Sequence, residues 1–391
     1  MRRYDGRCLG DNPYIVVLGS CKVGNFIVTI PLLRSLRRKY PKSTIVFWGS
    51  EITKELEQEL TKDRRDSKKL LDKRVSWDLQ DENRFEEISR EIKNSINPDL
   101  VINCDGFNPI TKVIAAWMSP KWVVGGCLSK NLRREMDTGE MPNNKILEER
   151  GWDSIEFAEK YKDIMDSQYI AKILCTLSFM NPNEEDLNIE LPRKDANIDV
   201  PELLIHCTAS RSAKQWSVQG WLEVLEWCYR QDIKVGIIGA SPKIQTEEYN
   251  SGNIESALID MYGEKGKNGK NNLIDLRGKT SLIELAGVCS EAKGVISVDA
   301  GPLHIAAAVG VPVMAIVGND RDGTGASPIR LWMPRSSNVT RTISEYSCDQ
   351  CSINHFKNDT CIAEKHFCME GVRSKEITDW IGSILKKEQS I

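Results

Sequence analysis

Short apolar runs recur along this chain, each followed by a stretch with helical spacing. Tyr14-Ile-Val-Val-Leu-Gly19 is such a run, and Ser-Cys-Lys-Val-Gly24 separates it from a helical pattern at 30–38. It reads as strand, glycine-containing loop and helix, with Pro31 acceptable in a first turn. A second strand is predicted within 41–48, a third at 99–104 with a helix over 110–118 behind it, and a fourth at 121–125. The rhythm restarts beyond residue 200. Strands at 203–207, 234–239, 271–276, 294–298 and 313–317 alternate with helices at 218–229, 282–289 and 303–309, and a tail over 376–386 has helical period. Such alternation predicts parallel, doubly wound sheets, one in each half of the chain.

Four stretches break the rhythm. Residues 62–74 are rich in Lys and Arg but also carry Asp63, Asp66 and Asp72, so they read as a solvated helix face. Residues 126–153 are mostly polar, with Lys130, Arg133, Arg134, Lys145 and Arg150, and predict a long exposed loop that is either an acceptor-binding loop or a surface insertion. Residues 181–199, rich in Asn, Asp, Glu and Pro, read as an interdomain linker. Residues 262–270 read as a flexible loop on composition.

The length of 391 residues favours two domains. A net charge of -3 makes no overall electrostatic case for nucleic acid or an anionic membrane, so no nucleic-acid partner is expected and membrane contact is at most peripheral. No apolar h-region follows the polar start, and the longest apolar stretch, 305–317, is interrupted by Gly310 and Pro312. Neither a signal peptide nor a span is predicted, and a cytoplasmic location is expected. Of the 12 cysteines, those from Cys8 to Cys289 are scattered and read as small buried hydrophobes.

The stretch Gly294-Val-Ile-Ser-Val-Asp-Ala-Gly-Pro-Leu-His-Ile-Ala-Ala-Ala-Val-Gly310 carries the most chemistry. It reads as a buried strand, an Asp299-Ala300-Gly301 loop, and a helix with Pro302 in its first turn. A helix start offers unpaired N–H groups under the positive end of the dipole, which suits a pyrophosphate, and Gly301 permits close backbone approach. His304 falls in the first turn, within reach of a phosphate. These residues resemble glycosyltransferase family 9, the heptosyltransferase group of lipopolysaccharide synthesis, which carries a Ser-Asn/Asp-Asp-Ser/Thr-Gly-Pro-x-His-x-Ala-Ala-Ala-x-Gly-x-Pro-like segment. Two further segments agree in order: Gly19-Ser-Cys-Lys-Val-Gly-Asn-Phe-Ile-Val-Thr-Ile-Pro31 and His206-Cys-Thr-Ala-Ser-Arg-Ser-Ala-Lys-Gln-Trp216.

The resemblance implies an α/β protein of GT-B fold: two facing Rossmann-like domains, a Cys-rich finger and a return helix packing back on the first domain. The expected divisions are an acceptor-side domain over 1–190, a donor-binding domain over 200–345, a four-cysteine finger over 346–370 and the return helix over 371–391. It also implies inverting transfer of a heptose or similar sugar from a nucleoside diphosphate-sugar, ADP-heptose foremost, to a glycan hydroxyl, with no catalytic Mg²⁺. The leaving diphosphate needs fixed donors. Lys214 is the candidate cation and Arg211 its helper, with Gly24, Asn25, Asp299, Ala300, Gly301, Pro302 and His304 as donor-binding residues. An acceptor proton needs a carboxylate base. Relatives place Asp after the first-loop Gly, whereas this chain has Gly24-Asn25, so Asp105 in Asn103-Cys-Asp-Gly106 is the replacement candidate, a turn-forming Asp-Gly pair being the other reading. Ala300 also departs from the Ser or Thr of relatives.

Cys348-Asp-Gln-Cys351, Cys361 and Cys368 give C-x2-C-x9-C-x6-C, which suits one tetrahedral thiolate site for zinc or iron, with His355 and His366 as substitutes. Unligated thiols are the other reading. The autotransporter heptosyltransferases that resemble this family carry an iron-binding finger here and act as multimers on protein. A protein acceptor and a homo-oligomer therefore stay open beside a glycan lipid. A reading from another class, a non-catalytic nucleotide-sugar-binding scaffold, rests on Asn25 and Ala300.

Overall fold

The computed structural model describes residues 1–63, 68–77, 82–249, 254–264, 269 and 271–388. The loop read over 262–270 therefore lies mostly outside the described residues, as do 64–67 of the charged run. The chain divides into two compact units, Met1–Ile189 and Glu190–Ile391.

The first unit holds strands β1 (Arg2–Arg3), β2 (Tyr14–Leu18), β3 (Thr44–Gly49), β4 (Lys73–Ser76), β5 (Leu100–Asn103) and β6 (Trp122–Gly125). They form one sheet in the order β1-β6-β5-β2-β3-β4, and every pairing is parallel. The second unit holds β7 (Leu203–His206), β8 (Val235–Ile237), β9 (Leu273–Asp275), β10 (Gly294–Val298), β11 (Val313–Ile316) and β12 (Val339–Arg341). Its order is β12-β11-β10-β7-β8-β9, again all parallel. Central strands covered on both faces need side chains that are apolar throughout. Ile15, Val16, Val17 and Leu18 of β2 are wholly buried, and so are Val295, Ile296 and Val298 of β10.

These orders fix where a ligand can enter. In the first sheet the chain runs outward from β2 through β3 to β4, then returns to β5 on the other side of β2. The order reverses between β2 and β5, and by the same count between β7 and β10. Loops leaving the carboxyl ends of such neighbouring strands diverge to opposite faces and leave a crevice. Leu18 pairs with Asn103 and His206 with Ser297 at those ends.

The rhythm of apolar runs placed the inner strands and the edge strand β9, and missed the other three edges. β4 begins in the last two residues of the run read as a helix face: Lys73 and Arg74 open an edge strand, and Arg74 pairs with the buried Glu57 at 2.9 Å. β1 and β12 also escaped, because two or three residues show no period. Residues 126–153 are ordered differently from a long loop. Arg3 donates to the carbonyls of Gly125, Met136 and Asp137, Leu128 bridges Glu135, and short helices follow at Pro142–Lys145 and Ile146–Glu148.

The predicted linker is half structure. Asn183 and Asp186 form a capping box on the Glu184–Leu187 turn, and Asp186 accepts bonds from Ser35 and Arg38 of the Ile30–Lys39 helix. The tail helix, Ser374–Glu388, packs within the second unit. Ile377 and Ile381 bury into that unit's core beside Trp221 and Val224 of the Val218–Arg230 helix, and Ser374 donates to Glu223.

Candidate functional site

The crevice of the first unit is built by the loops after β2 and β5. The first loop enters the short Val23–Ile27 helix, which carries Gly24 and Asn25, both half-buried. The second is a tight turn: Asn108 donates from its backbone to the Asp105 carbonyl at 2.9 Å and from Nδ2 to Asp105 Oδ2 at 3.1 Å. Thr111 Oγ1 also donates to the Asp105 carbonyl, and Asp105 N–H to Asn103 Oδ1. Gly106 and Gly126 let this turn lie against the chain leaving β6, since a Cβ on Gly126 would stand 2.1 Å from the Gly106 carbonyl.

Burial raises the Asp105 carboxyl above its ordinary value, while the Asn108 bond and the charge of Lys22 pull the other way without cancelling it. Asp105 and the first loop therefore share one electrostatic neighbourhood. Lys22 was not among the residues singled out from sequence, although it lies within the quoted first-loop segment.

The crevice of the second unit is more tightly made. After β7, a 3₁₀ turn at Ser212–Lys214 leads to Trp216, which is buried edge-on against Trp221 with ring centroids 5.4 Å apart. Gly220 makes room for the indole, which a Cβ there would meet at 2.4 Å. The turn carries Lys214 to the loop after β10, where Nζ donates to the Asp299 carbonyl at 2.7 Å and to Oδ2 at 3.1 Å. The side chains of this pair are 13% and 8% exposed. Burial would raise the Asp299 carboxyl, but the charges of Lys214 and His304 together with the Lys214 bond hold it below its ordinary value.

Ala300 is the extended N-cap of the Gly301–Val309 helix, with Pro302 in the first turn. Alanine offers no side-chain oxygen to that cap. His304 is buried, and burial first, with Lys214 adding, lowers its imidazole to about 4 against the pull of Asp299. It is therefore neutral at pH 7 and buried. Arg211 turns elsewhere: its guanidinium donates to the carbonyls of Asn358 and Ala326 and lies over the Phe356 ring. A further buried carboxylate at this end, Glu255, accepts from Thr208 Oγ1 in the loop after β7. No spacing in the sequence pointed to Glu255, which reaches the loop from a separate helix, Ile254–Tyr262.

The four clustered cysteines share one neighbourhood. Burial, then the nearness of Cys348, Cys351 and Cys361, pushes the Cys368 thiol up to about 12. Their chemistry fits a soft-metal site. Their positions do not close one, because among the described residues no group of three or more His, Cys, Asp or Glu side chains is close enough to hold an ion. Asn358 Nδ2 instead bonds Cys351 Sγ at 3.2 Å. His355 is exposed, and His366 Nε2 engages the Ala213 carbonyl at 2.8 Å. The segment also bonds the lysine turn through Ala213 N–H and Ser212 Oγ, both to the Asp359 carbonyl.

Two parallel-sheet units whose switch points hold these residues define a protein of the GT-B class. The chain belongs to glycosyltransferase family 9 (heptosyltransferase), whose family model matches residues 156–359, over half of the sequence. That stretch includes Lys214 and the Asp299 loop but neither Asp105 nor Cys361 and Cys368. The lipopolysaccharide core heptosyltransferase OpsX of Haemophilus influenzae is 28% identical over 114 residues, and the match spans 29% of this chain and 29% of that relative.

Among solved structures, a family 9 glycosyltransferase from Veillonella parvula aligns with TM-score 0.64 at 15% identity, over 98% of this chain and 100% of that one. The ADP-heptose lipopolysaccharide heptosyltransferase II of E. coli aligns at 0.59 and 15%, over 96% and 99%. The iron-containing dodecameric glycosyltransferase TibC of enterotoxigenic E. coli aligns at 0.55 and 13%, over 97% and 78%. At such identities these likenesses establish the fold. Among the described residues no helix is long and apolar enough to cross a membrane.

Proposed function

We propose that this protein transfers a heptose or similar sugar, with inversion, from a nucleoside diphosphate-sugar to a glycan hydroxyl of the lipopolysaccharide type, ADP-heptose being the donor. The observation that carries this reading is the seating of Lys214 against the Asp299 loop, at the start of the Gly301–Val309 helix. An ammonium held beside a helix start suits a group that gains negative charge as it leaves. The names of relatives supply the sugar: one solved neighbour is an ADP-heptose transferase, and the curated relative acts on lipopolysaccharide core.

In the proposed step the acceptor oxygen bonds to the anomeric carbon as the bond from that carbon to the diphosphate breaks. The acceptor proton passes to the Asp105 carboxylate. Asp105 suits this role because burial raises its pKa, which makes it a better proton acceptor than an ordinary carboxylate. Lys214 and the N–H groups of the Gly301–Val309 helix start take the charge of the leaving diphosphate, and Gly24 and Asn25 line the acceptor-side loop. No step calls for Mg²⁺, and a cytoplasmic site of action accords with a soluble nucleotide-sugar donor.

The cysteine cluster favours a second reading of the acceptor. An iron-containing dodecamer is among the structural neighbours. If the four thiolates here draw together around iron or zinc, the metal staples the segment that braces the lysine turn, and a protein acceptor and an oligomeric assembly become the alternatives to test.

A thermal-shift screen against ADP-, GDP-, UDP- and CDP-linked sugars tests the proposal. A rise in melting temperature with the ADP-sugars, lost in Lys214→Ala, supports it by mass action. Stabilisation by none of them, or equal stabilisation of the variant, overturns it and leaves a scaffold role.

A further inference from the structure

An aromatic ladder rises beside the candidate base in the first unit and ends in the open. Tyr161, Phe157, Trp152 and Phe107 follow one another with centroid separations of 5.0, 6.3 and 5.8 Å. Phe157 and Tyr161 are buried, whereas Phe107 is 73% exposed, the largest value among the exposed large hydrophobics described. Ile155, 68% exposed, and Ile110 extend the apolar surface.

The inner rungs are held rigidly. Trp152 Nε1 donates to the Ile146 carbonyl at 3.0 Å, and Gln168 Nε2 donates to the carbonyls of Trp152 and Ser154. Phe107 leans on this fixed indole at 54° and leaves most of its ring free. It stands two residues from Asp105 in the turn closed by Asn108.

We propose that Phe107, braced by Trp152, is a stacking platform for a pyranose ring of the acceptor, setting that ring's hydroxyl against Asp105. The inference rests on the transferase reading above and names the kind of acceptor it uses. A lone exposed phenylalanine is ordinary; one propped on a fixed aromatic column and two residues from a half-buried carboxylate is a built surface. The electron-rich face of an aromatic ring attracts the polarised C–H bonds on one face of a pyranose, while the sugar's hydroxyls stay on its rim. A flat apolar contact with a polar group at its edge orients a carbohydrate, and Phe107 with Asp105 supplies that pair.

Saturation-transfer NMR on the full chain tests this, irradiating aromatic protons in the presence of methyl β-D-galactopyranoside, methyl α-D-glucopyranoside or a serine-containing peptide. Saturation of pyranoside ring protons is expected, weakened about tenfold in Phe107→Ala and retained in Phe107→Trp, because the platform needs an aromatic face. Equal saturation in Phe107→Ala, or transfer to the peptide alone, overturns the proposal. Titration of ADP separates this outcome from the reading beneath it. ADP binding equally to wild type and Phe107→Ala is expected. Failure of ADP to bind either protein, with the sugar signal intact, would break the transferase reading and spare the platform.

Discussion

The two switch points share a topology and differ in how they are finished. In the second unit a buried ion pair, a tryptophan seat and the cysteine segment fix Lys214 from three directions. In the first, Asp105 is held through its own turn, with one side-chain bond from Asn108, and the ring beside it stands in solvent. A leaving diphosphate is the same group in every turnover, so a prebuilt charge receptor costs no reorganisation. An acceptor must enter, be deprotonated and depart, which asks for an accessible carboxylate with a raised pKa. On the proposed function the units divide the labour: one receives charge, the other gives access.

The sharpest way to break that division is Asp105→Asn. If the first unit supplies the base, transfer should slow by about 10²–10⁴-fold while the donor dissociation constant, read by calorimetry, stays unchanged. A slowing of less than tenfold would return Asp105 to the role of a turn residue.

Lys214→Ala should act in the complementary manner, lowering turnover by about 10²–10³-fold and weakening donor binding. It also leaves Asp299 buried without its cation, a loss of about 3–5 kcal/mol where a buried pair is broken on one side. Adding Asp299→Asn should restore most of the melting temperature and none of the donor affinity. Recovery of both would show the lysine to be structural.

A smaller effect should follow removal of any thiolate-bound metal. The cysteine segment meets the lysine turn through the bonds of Asp359 and His366, so treatment with a thiol-competing chelator should weaken donor binding about tenfold, the lower end of outer-shell losses. Binding of the acceptor to the first unit should not move. A chelator with no effect on either, and no metal by elemental analysis, would leave four reduced thiols as the correct reading.

Much of this was legible in the chain because buried parallel strands must be apolar along their whole length. β2, β5, β7, β10 and β11 announce themselves for that reason, and Asp105, Lys214 and Asp299 stand in the loops after three of them. Three of the four edges were illegible: β4 presents Lys73 and Arg74 because an edge strand has one solvated side, and its register is set by β3. The states of side chains were also hidden. His304 falls at a spacing that suits a phosphate contact, yet the fold buries it. Arg211 reads as a spare cation beside Lys214, yet carbonyls 115 and 147 residues away claim it. Glu255 reaches its site from a helix whose sequence looks like any amphipathic surface.

The subtlest test concerns the single side-chain bond that tempers Asp105. Asn108 donates to the carboxylate and so favours its charged form, against burial, which favours the neutral one. Asn108→Ala should therefore raise the Asp105 pKa further, a small effect, as befits one modest hydrogen bond. Two readouts should move together. The acid limb of the rate–pH profile should shift to higher pH, because the base is lost by protonation sooner as pH falls. The folded state holds its proton more tightly than the unfolded chain, so stability should decline over a wider range as pH rises through that pKa. A shift of the acid limb with no change in this slope would mean that the titrating base is another group. A change in the slope alone would mean that Asp105 titrates but takes no proton in the reaction.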